Sequence, residues 1–279
     1  MILVVDSGST QTVWCFISNR SKTKIITTGG INPYFCTSED ILKKLNVELK
    51  PEIPGKVERI FFYGAGIIND NVGRNIKNVL AVLFPESNIE TYSDLQGAAR
   101  ATLHNKRGIA CILGTGSNSC LYDGDKILEH VRPLGFVLGD EGSGAVLGKK
   151  LLADYLKAIM PQNIADRFKS EFPFQYADYL QKVYRQEQPN RFLATLVPFI
   201  HKNLDDEYCR KLCEDSFSEF IERNILQYTN CFNEQICFVG SVAFYFSEVL
   251  YKIFEKKGLN IGIILKEPME GLIKYHLKK

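Results

Sequence analysis

Two short loops, far apart in the chain, carry the residue types best suited to chemistry. They are residues 4–10 (VVDSGST) and 112–118 (ILGTGSN). In each, an apolar stretch typical of a β-strand enters a turn of glycine and hydroxyl residues, and a second apolar stretch follows. Such a turn points backbone N–H groups and hydroxyls into a concavity that suits anionic oxygens, and glycine permits close approach. Two such loops predict a clamp on a polyphosphate.

The first loop contains a carboxylate, Asp6, which the second loop lacks. A carboxylate beside phosphates is repelled unless a divalent cation lies between them, so Asp6 predicts a Mg²⁺ ion held largely through water. The alternative is a turn-capping role, because aspartate is common at hairpins. On the first interpretation, metal binding is assigned to the first loop alone.

The elements that must position these loops follow the same order twice. Each loop joins the first two strands of an antiparallel meander, and alternating helices and strands follow the first meander. This repetition predicts two related α/β domains with a cleft between them. We place the domains at 1–105 and 106–267, with a helical insertion at about 163–230 and a last helix, about 268–279, that packs back onto the first domain.

Two local predictions concern helices. Residues 38–49 show a helical pattern, and Ser38 is the expected N-cap, because serine accepts hydrogen bonds from the first amides of a helix. Residues 241–257 also read as one helix, following an apolar strand at 235–240. Both predictions rest on local sequence alone.

Composition excludes several classes of protein. The 279 residues hold 34 basic and 32 acidic side chains, so no strong field recruits nucleic acid or an anionic membrane. The start of the chain lacks the pattern of a signal peptide, which predicts a cytoplasmic protein. The eight cysteines form no Cys-x-x-Cys pair, and most lie in apolar segments, where a reduced thiol behaves as a small hydrophobic group.

Four motifs together resemble a known family. They are Asp6-Ser7-Gly8-Ser9-Thr10, Gly114-Thr115-Gly116-Ser117-Asn118, Gly139-Asp140-Glu141-Gly142-Ser143-Gly144 and Val239-Gly240-Ser241-Val242. In this order they resemble the N-acetylglucosamine kinase group of the BadF/BadG/BcrA/BcrD ATPase family, within the actin, hexokinase and 70-kDa heat-shock ATPase superfamily. The resemblance covers essentially the whole chain. It implies two ribonuclease H-like α/β domains, each a mixed sheet flanked by helices, with the active-site cleft between them.

The resemblance implies three groups of site residues. The ATP-binding positions are Asp6, Gly8, Ser9, Thr10, Gly114, Thr115, Gly116, Gly240 and Ser241. For the last two, an ordinary strand-to-helix turn with an N-cap serine is the alternative. The sugar-binding positions are Asn32, Asn118 and Asp140, beside which Glu141 could bear on a metal or on hydroxyls.

The third group is a single catalytic residue. Phosphoryl transfer to a hydroxyl needs a base near the acceptor. In sugar kinases of this superfamily, an aspartate at the start of the helix before the second loop supplies it, and Asp94 matches that place. The alternative is that Asp94 only caps its helix, although Ser93 could cap equally well.

The implied activity is phosphorylation of an amino sugar by ATP with Mg²⁺, with N-acetylglucosamine giving its 6-phosphate, in a homodimer without nucleic-acid or membrane partners. One departure concerns the sugar: the family has an aromatic residue where this chain has Leu134, unless Phe136 or Tyr34 supplies the ring. The alternative function is an ATPase that activates a 2-hydroxyacyl-CoA dehydratase or a benzoyl-CoA reductase. Such an activator needs exposed loop cysteines for an iron–sulfur cluster.

Overall fold

A computed structural model describes residues 1–8, 10–19, 22–33 and 36–277 of the chain. The contacts divide the chain into two compact units. The first comprises Met1–Asn105, Gly124–Lys126 and Glu267–Lys279, and the second comprises Lys106–Asp123 and Ile127–Lys266. Each unit has its own five-stranded mixed sheet and its own hydrophobic core.

The first unit is built on a sheet with the strand order β3-β2-β1-β4-β5. Strands β1 to β3 form the antiparallel meander, while β4 and β5 are parallel to β1. The elements are β1 Ile2–Ser7, β2 Gln11–Asn19, β3 Lys22–Gly29, α1 Ser38–Glu48, β4 Arg59–Gly64, α2 Asp70–Leu83, β5 Asn88–Ser93 and α3 Asp94–Thr102. The C-terminal helix, Met269–Leu277, packs in this unit against α3, and the backbone carbonyl of Ala101 leaves no room for a side chain at Gly271.

The second unit repeats the topology with the order β10-β9-β6-β7-β8. Strands β6 to β8 form the meander, and β9 and β10 extend the sheet in parallel with β6. The strands are β6 Gly108–Leu113, β7 Ser117–Tyr122, β8 Ile127–Glu129, β9 Ile236–Val239 and β10 Ile261–Leu265. The prediction of two mixed sheets flanked by helices is therefore confirmed.

Nine helices of the second unit occupy the described range 135–257. Most lie at 162–223, the helix-rich region expected from sequence. They are α4 Gly135–Leu138, α5 Gly144–Leu156, α6 Gln162–Glu171, α7 Tyr176–Tyr184, α8 Pro189–Ala194, α9 Val197–Lys202, α10 Glu207–Arg223, α11 Ser241–Tyr245 and α12 Ser247–Lys257. The C-terminal helix is α13. In the described part of the chain, no helix combines the length and the apolar character needed to cross a membrane.

Two of the local predictions are wrong in detail. The N-cap of α1 is Thr37, whose hydroxyl accepts from the Asp40 amide at 3.2 Å, and Ser38 is the first helical residue. The helix expected at 241–257 is two helices, because Phe246 leaves helical geometry between them. Phe246 is buried, and its ring packs edge-on against Phe217, so tertiary packing overrides a locally helical sequence.

Candidate active site

The carboxyl ends of three parallel strands bring two acids of the first unit together. Ser7 of β1, Gly64 of β4 and Ser93 of β5 lie side by side in register. Asp6 comes just before this line on β1, and Asp94 comes just after it, as the first residue of α3. Strands β1 and β5 flank β4, so both acids lie at the carboxyl ends of the parallel strands, which is the usual place for ligand-binding groups in α/β sheets.

Asp94 is the first residue of α3 and is not its cap. The Ser93 hydroxyl accepts from the Gln96 amide at 3.2 Å, so Ser93 takes the N-cap position. One carboxylate oxygen of Asp94 accepts from the Leu95 amide at 2.9 Å. Burial raises the pKa of the Asp94 carboxyl, and hydrogen bonds from the Leu95 and Asp94 amides partly offset that effect. As a whole, Asp94 is half-buried.

Asp6 lies in a crowded acidic environment. Its pKa is raised from 3.8 to about 7, first by burial and then by the negative charges of Asp94 and Glu267, which belong to the same unit. A divalent cation would relieve this excess of negative charge, and Mg²⁺ commonly binds through one or two carboxylates and several waters. No group of three possible metal ligands occurs among the described residues. The Asp6 carboxylate is of the donor type that a Mg²⁺ ion bound largely through water would take.

The first loop is a tight hairpin held by buried hydroxyls. The Gly8 amide donates to the Gln11 carbonyl at 2.9 Å, and the Thr10 carbonyl accepts from the Gly30 amide at 3.0 Å. At its base, the Ser7 and Thr12 hydroxyls are 2.7 Å apart, and Ser7 also donates to the Ile31 carbonyl. Ser9 lies outside the described residues.

The Ser7–Thr12 pair also positions the candidate sugar residue Asn32. The Ile31 amide donates to the Thr12 hydroxyl at 3.2 Å, which ties the residue before Asn32 to the base of the loop. Asn32 is buried, and its carboxamide packs against Gly66, which has a φ of +82° and no room for a Cβ. Sequence reasoning missed the role of Ser7 and Thr12, because their spacing gives no sign that they meet across a hairpin.

The second loop is held by the start of a helix. The Gly114 amide donates to the Gly116 carbonyl at 3.0 Å. The carbonyls of Gly114 and Thr115 accept from the first two amides of α5, which belong to Gly144 and Ala145, at 2.8 and 3.0 Å. The first two amides of α5 thus hold the backbone of the second loop in place.

The predicted adenosine turn, Gly240-Ser241, packs against the end of β6. Gly240 has a φ of +127°, and a Cβ there would collide with the Leu113 carbonyl, so only glycine fits. Gly240 is the N-cap residue of α11, and Ser241 is the first helical residue, with no capping hydrogen bond from a side chain. The alternative of an N-cap serine therefore does not hold, because the close approach of two backbones sets this turn.

Asp140 lies over the second loop with strained backbone geometry. Its φ is +55°, in the left-handed region that aspartate tolerates better than most residues. Its pKa is raised from 3.8 to about 6, chiefly by burial and further by Glu141, while the Ser117 amide lowers it. A Cβ on Gly116 would lie 3.0 Å from the Asp140 carboxylate, so Gly116 leaves room for this acid.

The neighbouring acid, Glu141, has two protein partners. It is buried, and it forms an ion pair with the Arg223 guanidinium at 2.9 Å and accepts from the Asn224 side chain at 3.3 Å. These contacts tie the loop before α5 to the end of α10. Glu141 is therefore engaged with protein partners, and its bearing on a metal or on hydroxyls stays a prediction from the sequence.

Asn118 is held by two hydrogen bonds to its side-chain oxygen. The Ser119 amide and the His130 ring nitrogen Nε2 each lie 2.9 Å from Asn118 Oδ1. Of the three residues considered for the aromatic sugar contact, Leu134 is 55% exposed just before α4 and Phe136 is half-buried, while Tyr34 lies outside the described residues. Leu134 lies on the surface of the second unit, and the short helix α4 separates it from Asp140.

Comparison with known proteins gives the class and then the family. No protein-family model and no curated protein matches the chain. Among solved structures, a proposed N-acetylglucosamine kinase from Porphyromonas gingivalis is 44% identical, with 100% of this chain and 99% of that chain covered and a TM-score of 0.96.

Two more distant structures share the fold alone. A proposed N-acetylglucosamine kinase from Chromobacterium violaceum is 14% identical over 98% of both chains, with a TM-score of 0.63. A ROK family glucokinase from Streptomyces griseus, solved with glucose and AMPPNP, is 11% identical over 98% and 97% of the two chains, with a TM-score of 0.53. The fold is that of the actin-like ATPases that include sugar kinases. The chain belongs to the N-acetylglucosamine kinase-like family of this class.

Proposed function

We propose that the protein is an ATP-dependent kinase of an amino sugar, and that it converts N-acetylglucosamine to its 6-phosphate. The 44% identical relative supports the reaction class, a phosphotransfer to an alcohol group. The assignment of this particular sugar rests on the sequence motifs and on the name of that relative.

The observation that carries the proposal is that the Asp94 carboxylate does not cap its helix and has a raised pKa. Because Ser93 caps α3, the Asp94 carboxylate has only the Leu95 and Asp94 amides as intrahelical donors and keeps lone pairs for a hydroxyl proton. Its raised pKa makes it a stronger base than an ordinary aspartate once it is ionised. In this proposal Asp94 accepts the proton of the acceptor hydroxyl while that oxygen attacks the terminal phosphorus of ATP. The bond from this phosphorus to the oxygen bridging to the next phosphate breaks, and ADP leaves.

The remaining site residues divide between phosphate and sugar. Asp6 would hold Mg²⁺ through water, and the bound ion supplies positive charge that neutralises the phosphates. Thr10, Thr115 and Gly116 bind phosphate oxygens through backbone N–H groups, and Ser9 is assigned there from sequence. Gly8 and Gly114, whose amides donate to the Gln11 and Gly116 carbonyls, shape the two phosphate loops. Gly240 and Ser241 support the adenosine. Asn32, Asn118 and Asp140 bind sugar hydroxyls, since neutral sugars are recognised by directed hydrogen bonds. The proposal includes a homodimer in the cytoplasm.

The cysteines favour the kinase over the activator ATPase. Seven of the eight are buried, and only Cys36 is exposed. Burial raises the pKa of the thiols of Cys15, Cys111, Cys209 and Cys213, the last two lying one turn apart in α10. Cluster binding needs accessible thiolates, and these thiols are neither accessible nor easily ionised.

The test is an ATP-consumption assay with Mg²⁺ and separate sugars: N-acetylglucosamine, glucosamine, N-acetylmannosamine and glucose, with a sample lacking sugar as control. We expect turnover that depends on sugar and is fastest with N-acetylglucosamine, and a 6-phosphate product identified by ³¹P and ¹H NMR. Turnover without sugar that equals the best sugar rate would support the activator ATPase instead. Sugar-dependent turnover with another sugar would keep the kinase and change its substrate.

A further inference from the structure

We propose that His130 is a positioning residue that orients the Asn118 carboxamide so that Asn118 donates to an acceptor oxygen of the bound sugar. This inference rests on the proposed function. It goes beyond it by assigning a role to His130 and by defining what Asn118 can recognise. His130 matched no motif in the sequence, and its relation to Asn118 is visible only in the structure.

A local hydrogen bond fixes the orientation of the Asn118 carboxamide. Asn118 Oδ1 lies 2.9 Å from the Ser119 amide nitrogen, and a backbone N–H can only donate. The oxygen of the carboxamide must therefore face Ser119, because the opposite orientation would set two donors against each other. This local bond settles which end of the Asn118 side chain is the oxygen without reference to any ligand.

His130 donates a hydrogen bond to the Asn118 carboxamide. Its Nε2 atom lies 2.9 Å from the same oxygen, so Nε2 must carry a proton and donate. Burial, together with the charge of Arg132, lowers the pKa of the ring, so at neutral pH the imidazole is uncharged with its proton on Nε2. Both hydrogen bonds use the oxygen of Asn118, and its two N–H groups are the part that can donate to a ligand.

Tyr228 holds Asn118 and His130 in place through the residues that follow them. The buried Tyr228 hydroxyl lies 2.7 Å from the Ser119 hydroxyl and accepts from the Val131 amide at 3.1 Å. Ser119 follows Asn118 on β7, and Val131 follows His130 after β8. One tyrosine therefore ties together the two segments that carry the pair, and the distance between Asn118 and His130 is set by the fold of the second unit.

These contacts define the group that Asn118 recognises. A carboxamide with both N–H groups available binds a carbonyl oxygen or the lone pair of a hydroxyl, and it does not accept a hydroxyl proton. The probe is N-acetylglucosamine, which offers both kinds of acceptor. We expect glucosamine, which lacks the amide carbonyl, to show how much of the effect depends on that oxygen.

The test compares His130→Phe, which keeps a ring but cannot donate, with His130→Gln, whose amide nitrogen can take the place of Nε2. His130→Phe should raise the KM for N-acetylglucosamine about five- to tenfold, the range expected for loss of one hydrogen bond, with kcat changed less than twofold. His130→Gln should restore most of the loss. The matched control is His201→Phe, the same change at another exposed histidine of the second unit, which should leave both constants unchanged.

A double-mutant cycle separates positioning from a general structural effect. If His130 acts through Asn118, adding His130→Phe to Asn118→Ala should raise KM no further. An unchanged KM in His130→Phe, or an equal rise in both backgrounds, would overturn the proposal.

A second measurement does not depend on kinase activity. Ring ¹⁵N NMR of histidine-labelled protein at pH 8 should show His130 as the tautomer with its proton on Nε2, and Asn118→Ala should weaken that preference. A ring with its proton on Nδ1 would overturn the inference even if the protein is a kinase. If no sugar supports turnover, the proposed function fails, and the NMR result still decides whether His130 orients Asn118.

Discussion

The two units share one sheet topology but equip the same edge of the sheet differently. In the first unit the strand ends carry acids, Asp6 and Asp94, and the loop between β1 and β2 is fixed by side-chain hydroxyls. In the second unit the strand before the loop ends in apolar residues, and backbone contacts from Gly144, Ala145 and Gly240 fix the loop. The same sheet edge thus carries charged side chains in the first unit and a rigid backbone loop in the second.

This difference explains a division of labour within the proposed reaction. Proton transfer and metal binding need ionisable groups with adjusted pKa values, and the first unit provides them. Binding of phosphate oxygens needs amides that do not move, which a loop held by a helix end provides. Asp140 is the exception in the second unit, and its pKa is shifted less than that of Asp6.

The largest expected effect comes from a change at Gly240, which tests the rigid backbone geometry of the second unit. Gly240→Ala should lower the free energy of unfolding by about 3 kcal/mol, because the new Cβ collides with the Leu113 carbonyl at a strained φ. The matched control is Gly258→Ala at the end of α12, where φ is +67° and no atom lies within 4 Å, with an expected loss of about 1 kcal/mol. Urea denaturation of both variants measures the difference, and equal losses would show that the close approach at Gly240 is not important.

A smaller effect tests the acidic side. The folded protein holds a proton on Asp6 up to about pH 7, whereas the unfolded chain loses it near pH 3.8. The free energy of unfolding of the wild type should therefore fall, relative to Asp6→Asn, as pH rises from about 4 to about 7.

Denaturation curves at several pH values measure this difference. Asp40→Asn is the control from the same unit: hydrogen bonds from Thr37 lower the pKa of Asp40, so its contribution to stability is lost only as pH falls below 4. Parallel pH profiles for the wild type and Asp6→Asn would contradict the crowding of Asp6 by Asp94 and Glu267.

Much of the fold could be predicted because its signals are local. The alternation of apolar strands with glycine-rich turns gave both meanders, and helix patterns gave most of the remaining elements. The break at Phe246 could not be predicted, since it depends on contact with Phe217 of another helix. The cap of α1 was misplaced by one residue, because Thr37 and Ser38 are equally suitable by type.

The candidate site was predictable where chemistry follows a motif and unpredictable where it depends on distant partners. Asp94 could be placed at the start of a helix from Ser93 and the strand before it. The ion pair of Glu141 could not be predicted, because its partner Arg223 lies far along the chain. His130 has no recognisable motif, and only the pairing of β7 with β8 brings it close to Asn118.

The central claim is that Asp94 is the base of a sugar kinase, and one comparison tests it directly. Asp94→Asn keeps the shape of the side chain and removes its basicity, and Asp70→Asn makes the same change at the first residue of α2, where the side chain is exposed. We expect Asp94→Asn to lower kcat for N-acetylglucosamine about a thousandfold with the affinity for AMPPNP unchanged, and Asp70→Asn to behave as the wild type. A kcat for Asp94→Asn within tenfold of the wild-type value would contradict the account.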